Sequence, residues 1–180
     1  AQTKSGIEAE ALYKDSFEKY DYATQLKPDD HEAYNNWGNA LVNLAQTKSG
    51  VEAEKLYNEA FEKYDYATQL KPDEHKVYYN WGVALSNLAQ TKSGIEAEAL
   101  YNKSFEKYQQ AVQYKPNSYE AYYNWGNALS ELAQTKSGVE AEALYKDSFE
   151  KYHQATQLKP DGHEAYYNWG NALSELAQTK

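Results

Sequence analysis

A tryptophan returns every 44 residues, at positions 37, 81, 125 and 169, and a proline keeps the same step at 28, 72, 116 and 160. Around each tryptophan lies one run, Tyr34-Asn35-Asn36-Trp37-Gly38-Asn39-Ala40-Leu41, repeated with few changes at 78–85, 122–129 and 166–173. Self-similarity at this period means units that cannot bury their apolar faces alone and must stack on their neighbours. Ala-Gln-Thr-Lys marks the joints at 1–4, 45–48, 89–92, 133–136 and 177–180. The chain therefore divides into four units, 1–44, 45–88, 89–132 and 133–176, with a four-residue remainder. Within a unit, 26 of 44 positions are the same in all four copies, a regularity that suits an engineered or excised repeat array.

Each unit carries two patterns of helical period. In one, Ala9, Leu12, Ser16, Tyr20, Ala23 and Leu26 step by three and four, with Phe17 beside them, which draws a single stripe on a helix. Ser5 and Glu8 stand as a capping box at its start, recurring as Ser49/Glu52, Ser93/Glu96 and Ser137/Glu140. Pro28 limits the helix to about Lys27, because the residue before a proline avoids helical geometry. In the other pattern, Ala33, Trp37, Ala40, Leu41, Leu44 and Ala45 form the stripe, with Asp29 and Glu32 as the N-terminal signal. Eight helices follow, over 5–27, 30–47, 49–71, 74–91, 93–115, 118–135, 137–159 and 162–179. Gly38 and its copies interrupt a helix at a cost of about 1 kcal/mol each, which is sensible only where a neighbouring helix needs the space.

The polar composition excludes several functions. A net charge of −9 and the absence of arginine argue against nucleic acid and anionic membrane surfaces as partners. With no cysteine there are no disulfides or thiolate sites, and no apolar run reaches the roughly 20 residues that span a bilayer. His31, His75 and His163 sit beside carboxylates at helix starts, but the third copy has Tyr119. They read as surface residues, and neither metal nor cofactor is expected. An enzyme is not expected either, since catalysis needs unlike groups converging once, whereas nearly every polar group here comes in four copies.

Trp37-Gly38-Asn39-Ala40-Leu41, followed by Ala60, Phe61, Tyr64, Ala67, Leu70 and Pro72 on the next helix, resembles the tetratricopeptide repeat (TPR), whose unit is 34 residues. About ten additional residues lengthen the two helices on either side of Thr47-Lys48-Ser49-Gly50. The resemblance covers the whole chain and implies an all-α, right-handed solenoid of antiparallel helix hairpins. It also implies a non-catalytic protein-interaction scaffold that binds a peptide or protein on the concave face lined by the first helix of each unit. Carried over by position, that face is Asn35, Asn39 and Asn43; Tyr79, Val83 and Asn87; Tyr123, Asn127 and Glu131; and Tyr167, Asn171 and Glu175. Some family members clamp a peptide carboxylate here with cations, but position 35 and its copies hold Asn or Tyr. A cytoplasmic location is the favoured expectation.

An alternative reading weighs the ends. The chain opens on the second helix of a unit and closes on the first helix of another, so the stripe around Trp169 and Leu173 lacks the helix that follows each earlier copy. Head-to-tail association of copies would supply it, and such a heterologous contact need not close.

Overall fold

The structure, a computed structural model, describes residues 4–179 and is built from eight α-helices packed as consecutive hairpins. They are α1 (Lys4–Leu26), α2 (His31–Ala45), α3 (Gly50–Leu70), α4 (His75–Ala89), α5 (Gly94–Tyr114), α6 (Tyr119–Gln134), α7 (Gly138–Leu158) and α8 (His163–Gln178). The helices were expected at these places, and the ends differ by one or two residues. There are two compact bodies, 1–80 and 81–180, and the division falls inside α4.

The helix starts differ from the expected chemistry. Ser49, Ser93 and Ser137 stand at the N-cap, yet none makes a side-chain cap bond. The tight turn is instead made by the glycine that follows, with φ of 57°, 59° and 57° at Gly50, Gly94 and Gly138, a left-handed conformation that only glycine enters at low cost. Lys48 takes over the electrostatic role, pairing with Glu52 at 2.9 Å and with Glu10 of α1 at 2.7 Å. Lys136 repeats the arrangement with Glu140 at 2.8 Å and Glu98 at 2.7 Å. Hydrogen bonds to Glu10 and then Glu52 hold the Lys48 ammonium above its ordinary pKa. In the described joints the threonine donates its hydroxyl to the carbonyl three residues back, as Thr47 does to Leu44 at 2.7 Å and Thr135 to Leu132 at 2.7 Å. The repeated Gln-Thr-Lys-Ser-Gly is thus a structural joint. The second cap also moves by one residue: Asp30, not Asp29, accepts from the Ala33 amide at 3.3 Å.

Small residues and tyrosines fill the core. On α3 the buried positions are Ala53, Tyr57, Ala60, Tyr64 and Ala67, spaced four and three apart. Tyr57 therefore takes the buried place that the sequence stripe gave to leucine, and Leu56 is only half-buried. The mid-helix glycines have the expected cause. A Cβ on Gly38 would lie 2.6 Å from Tyr64 Cε1, and one on Gly126 would lie 2.8 Å from Tyr152 Cδ1 and Cε1. Gly82 stands in the same relation to Tyr108 at 2.8 Å. Each glycine is a notch on one helix into which the tyrosine of the next helix seats, a close ridge-and-groove contact. Beside the notch a lysine covers the tryptophan: Lys63 lies 3.8 Å from the Trp37 ring centroid, Lys107 3.8 Å from Trp81 and Lys151 4.2 Å from Trp125. Half-buried ammonium–indole contacts of this kind contribute about 0.5–1 kcal/mol each.

Candidate functional site

The residues expected on the concave face lie on α2, α4, α6 and α8, and in both bodies Asn35, Asn39, Asn127, Glu131 and Glu175 bond to side chains outside that set. In the N-terminal body the Asn35 side-chain carbonyl accepts from Asn80 Nδ2 at 3.0 Å, and Asn39 accepts from the Tyr64 hydroxyl at 2.8 Å. Asn43 is exposed and lines an open cavity of about 520 Å³ between α1 and α2, with Asn39, Ala40, Leu12 and Tyr20 among its walls. Tyr79 is half-buried.

The C-terminal body holds the better-formed site. Val83 and Asn87 are half-buried along α4. Asn127, Glu131, Asn171 and Glu175 come together around a polar cavity of about 210 Å³, which Ser130, Gln134, Tyr152 and Asn168 complete. Asn127 Oδ1 accepts from the Tyr152 hydroxyl at 2.9 Å and from Asn168 Nδ2 at 2.9 Å. Asn168 also donates to the Tyr123 hydroxyl at 3.0 Å, so the Tyr123 ring is fixed at the cavity's flank and stacks on Tyr119. Glu131 accepts from Gln90 at 2.9 Å and from the Tyr101 hydroxyl at 3.3 Å. One unit further on, Glu175 accepts from Gln134 at 3.0 Å and from the Tyr145 hydroxyl at 3.2 Å. Tyr167 stands away from this network with 69% of its surface exposed.

Three groups in this network escaped the sequence reading: the asparagine after the variable position (Asn80, Asn168), the joint glutamine (Gln90, Gln134) and the first tyrosine of the longer helices (Tyr101, Tyr145). Their signal was present, since each is the same residue in all four units. Identity at a polar position that forms no part of an apolar stripe points to a side-chain bond between units.

Burial of the glutamate row sets its electrostatics. Desolvation pushes the Glu131 carboxyl above the usual carboxylate range, and the bonds from Gln90 and Tyr101 oppose it only in part. Tyr145 is pushed up to about 12, first by burial and then by the nearby Glu175 charge. A folded-state pKa raised above the unfolded value makes the folded state hold its proton longer. The associated stability is therefore full below the unfolded carboxylate pKa and is lost as pH rises through the folded value. Glu131→Gln removes the charge, keeps an oxygen to accept from Gln90, and reverses the other bond, its new amide donating to the Tyr101 hydroxyl. It should raise the midpoint of thermal unfolding at neutral pH by a few degrees, corresponding to about 1 kcal/mol. The gain should shrink as pH falls through the carboxylate range. A variant less stable than the parent at pH 7 would contradict the assignment.

The histidines at the helix starts face carboxylates: Glu74 lies 3.7 Å from His31 Nε2 and 3.6 Å from His75 Nδ1. Among the described residues no group of three or more His, Asp or Glu side chains is placed to hold a metal ion, and no helix is long and apolar enough to cross a membrane.

Solved structures of the same architecture include MamA residues 41 to the end from Desulfovibrio magneticus RS-1, 16% identical with a TM-score of 0.66 over 98% of this chain and 88% of that one. The Arabidopsis OM64 TPR domain is 19% identical with a TM-score of 0.57, over 79% of this chain and 93% of that one. The first TPR of Spaghetti (RPAP3), solved bound to the HSP90 peptide SRMEEVD, is 16% identical with a TM-score of 0.53, over 78% of this chain and 93% of that one. At these identities the likeness establishes the TPR fold. No curated protein sequence matches the chain. The family model for the plant-specific mitochondrial import receptor subunit TOM20 matches residues 8–123 and again 116–179. That match corrects the expectation of a cytoplasmic location, because the family is one of mitochondrial receptor subunits. It also makes the chain a non-catalytic TPR-like interaction module. On this evidence the chain belongs to the plant-specific mitochondrial import receptor subunit TOM20 family.

Proposed function

We propose that this chain is the peptide-receiving part of a mitochondrial import receptor, and that it binds segments of proteins bound for that organelle on the face carried by α6 and α8. The observation that carries the reading is the polar cavity of about 210 Å³ walled by Asn127, Glu131, Asn171 and Glu175; Tyr167, four residues before Asn171 on α8, adds an exposed ring. An asparagine-lined cleft offers adaptable hydrogen bonds, and an exposed tyrosine four residues before Asn171 on the same helix offers contact area at little cost in side-chain entropy. Two carboxylates in the cleft and a net charge of −9 favour a segment that carries lysine or arginine, through electrostatic complementarity. The family supports the receptor reading.

Fluorescence anisotropy with labelled peptides from mitochondrial precursors, against scrambled and acidic controls, tests this. Basic precursor peptides should bind, more weakly as salt rises. Tyr167→Ala and Glu175→Gln should each weaken binding about tenfold, or about 1.4 kcal/mol. Equal binding of acidic and basic peptides, or no effect of either substitution, would overturn the proposal.

A second reading is that copies of the chain associate head to tail. It is favoured by the exposure of matching apolar faces on α1 and α8, where Leu12 is 69% and Leu173 50% exposed.

A further inference from the structure

Two residues after the joint serine, every unit carries Ile or Val: Ile7, Val51, Ile95 and Val139. At the starts of α3, α5 and α7 these side chains stand in solvent, with Val51 84%, Ile95 87% and Val139 85% exposed. β-branched residues are poorer helix formers than straight-chain ones, and at such exposure burial returns almost nothing for the choice. Copying of the unit does not account for it either. The exposed position seven residues on reads Lys14, Asn58, Asn102 and Lys146, whereas this one exchanges only Ile with Val.

A single exposed aliphatic is ordinary on a protein surface; in the C-terminal body they are paired and organised. Ala99 and Ala143, both exposed, stand one turn after Ile95 and Val139 and share their helix faces. Lys136 ties the first turns of α5 and α7 together, reaching Glu98 at 2.7 Å and Glu140 at 2.8 Å. The charge left at the surface there has one sign. Lys92 and Lys136 turn inward, with 18% and 17% of their side chains exposed, while Glu96 and Glu140 stand out with 58% each. Each of these glutamates bonds its joint lysine through Oε1, which leaves Oε2 to another donor. On α3 the pattern is broken, because Lys55, 77% exposed, takes the place of the alanine.

We infer that the first turns of α5 and α7 are a docking surface for a cationic amphipathic helix of a partner protein. Its aliphatic side chains cover Ile95 and Val139 and settle over the small Ala99 and Ala143, in the manner of a helix laid on an apolar groove. Its lysines or arginines pair with Glu96 and Glu140, and this charge complementarity selects the partner. The same carboxylates turn away an acidic segment or an anionic lipid surface. This surface stands on other helices than the polar cavity of α6 and α8, so it goes beyond the receptor reading and does not depend on it.

The probe is a labelled synthetic helix of about 18 residues, or about five turns, with leucines on one face and lysines on the other. Its anisotropy is read against the parent chain and against a chain carrying Tyr167→Ala and Glu175→Gln, which disables the cavity of α6 and α8. Binding should persist in that variant. Adding Ile95→Ser and Val139→Ser should then weaken it at least about tenfold, with the helical circular dichroism of the parent retained because both side chains are exposed. Probes with glutamate for lysine, or glutamine for leucine, should not bind. Absence of binding to the parent chain, indifference to the two serine substitutions, or equal binding of the glutamine probe would overturn the inference. Loss of binding on Tyr167→Ala and Glu175→Gln alone would place the probe in the cavity, overturning the docking surface and leaving the receptor reading intact. Binding of the probe as expected, while precursor peptides fail on the parent chain, would overturn the receptor reading alone.

Discussion

Tyr152→Ala should lower the stability of the C-terminal body by about 3–5 kcal/mol, the range for removing a buried aromatic side chain and leaving a cavity. The ring is 1% exposed and belongs to the core cluster of Ala133, Ala141, Tyr145 and Ala172, with Phe149 and Trp169 packed around it. It also fills the notch at Gly126. The hydroxyl contributes less. Asn127, which accepts from it at 2.9 Å, keeps a second donor in Asn168, so Tyr152→Phe should cost only about 1 kcal/mol. Repeat proteins unfold unit by unit when neighbouring contacts weaken. Hydrogen exchange along α6–α8 during urea titration is therefore the right measurement. A loss under 1 kcal/mol for Tyr152→Ala would mean that the knob-and-notch contact does not hold these helices together.

The repeat made most of this fold legible. Forty-four-residue spacing, prolines after the longer helices and mid-helix glycines located eight helices to within a residue or two. Glycine in a helix is costly enough that its recurrence signals a close neighbour, and the structure supplies that neighbour as a tyrosine ring. The turn chemistry was harder to read. Ser-Gly-x-Glu has the form of a capping box, but the positive φ of Gly50 places Ser49 in an extended conformation with no cap bond. Lysine then claims the glutamate. The candidate site was legible as a set of positions and not as a network. Asn127, Glu131 and Glu175 were named from the family's concave face, yet what fixes them are Asn168, Gln90, Gln134, Tyr101 and Tyr145, which lie 30 to 41 residues away. Periodicity assigns a residue to a helix face. It does not say which polar partners reach that face from another unit, because that depends on side-chain length and helix crossing.

Gly126→Leu should cost about 3 kcal/mol, at the upper end of what overpacking a closed contact costs, although leucine is the better helix former by nearly 1 kcal/mol. The first added carbon alone would stand 2.8 Å from two ring carbons of Tyr152 and 3.2 Å from a third. The ring is 1% exposed and its hydroxyl is tied to Asn127 at 2.9 Å, so turning it aside breaks that bond. Relief requires α7 to move off α6, and that strips the Lys151 ammonium from the Trp125 ring. The same substitution at Gly170 inverts the sign. Nothing lies within 4 Å of a Cβ there, so at concentrations where the chain is monomeric only the helix preference remains, and Gly170→Leu should stabilise by up to about 1 kcal/mol. The two glycines sit at the same position of neighbouring repeats, in the shared run Tyr-Asn-Trp-Gly-Asn-Ala-Leu. A difference of roughly 3–4 kcal/mol between the two substitutions, read from urea midpoints, therefore isolates the covering helix as its cause. If both variants lose stability equally, the glycine is required by α6 and α8 themselves, and the notch is not the reason it recurs.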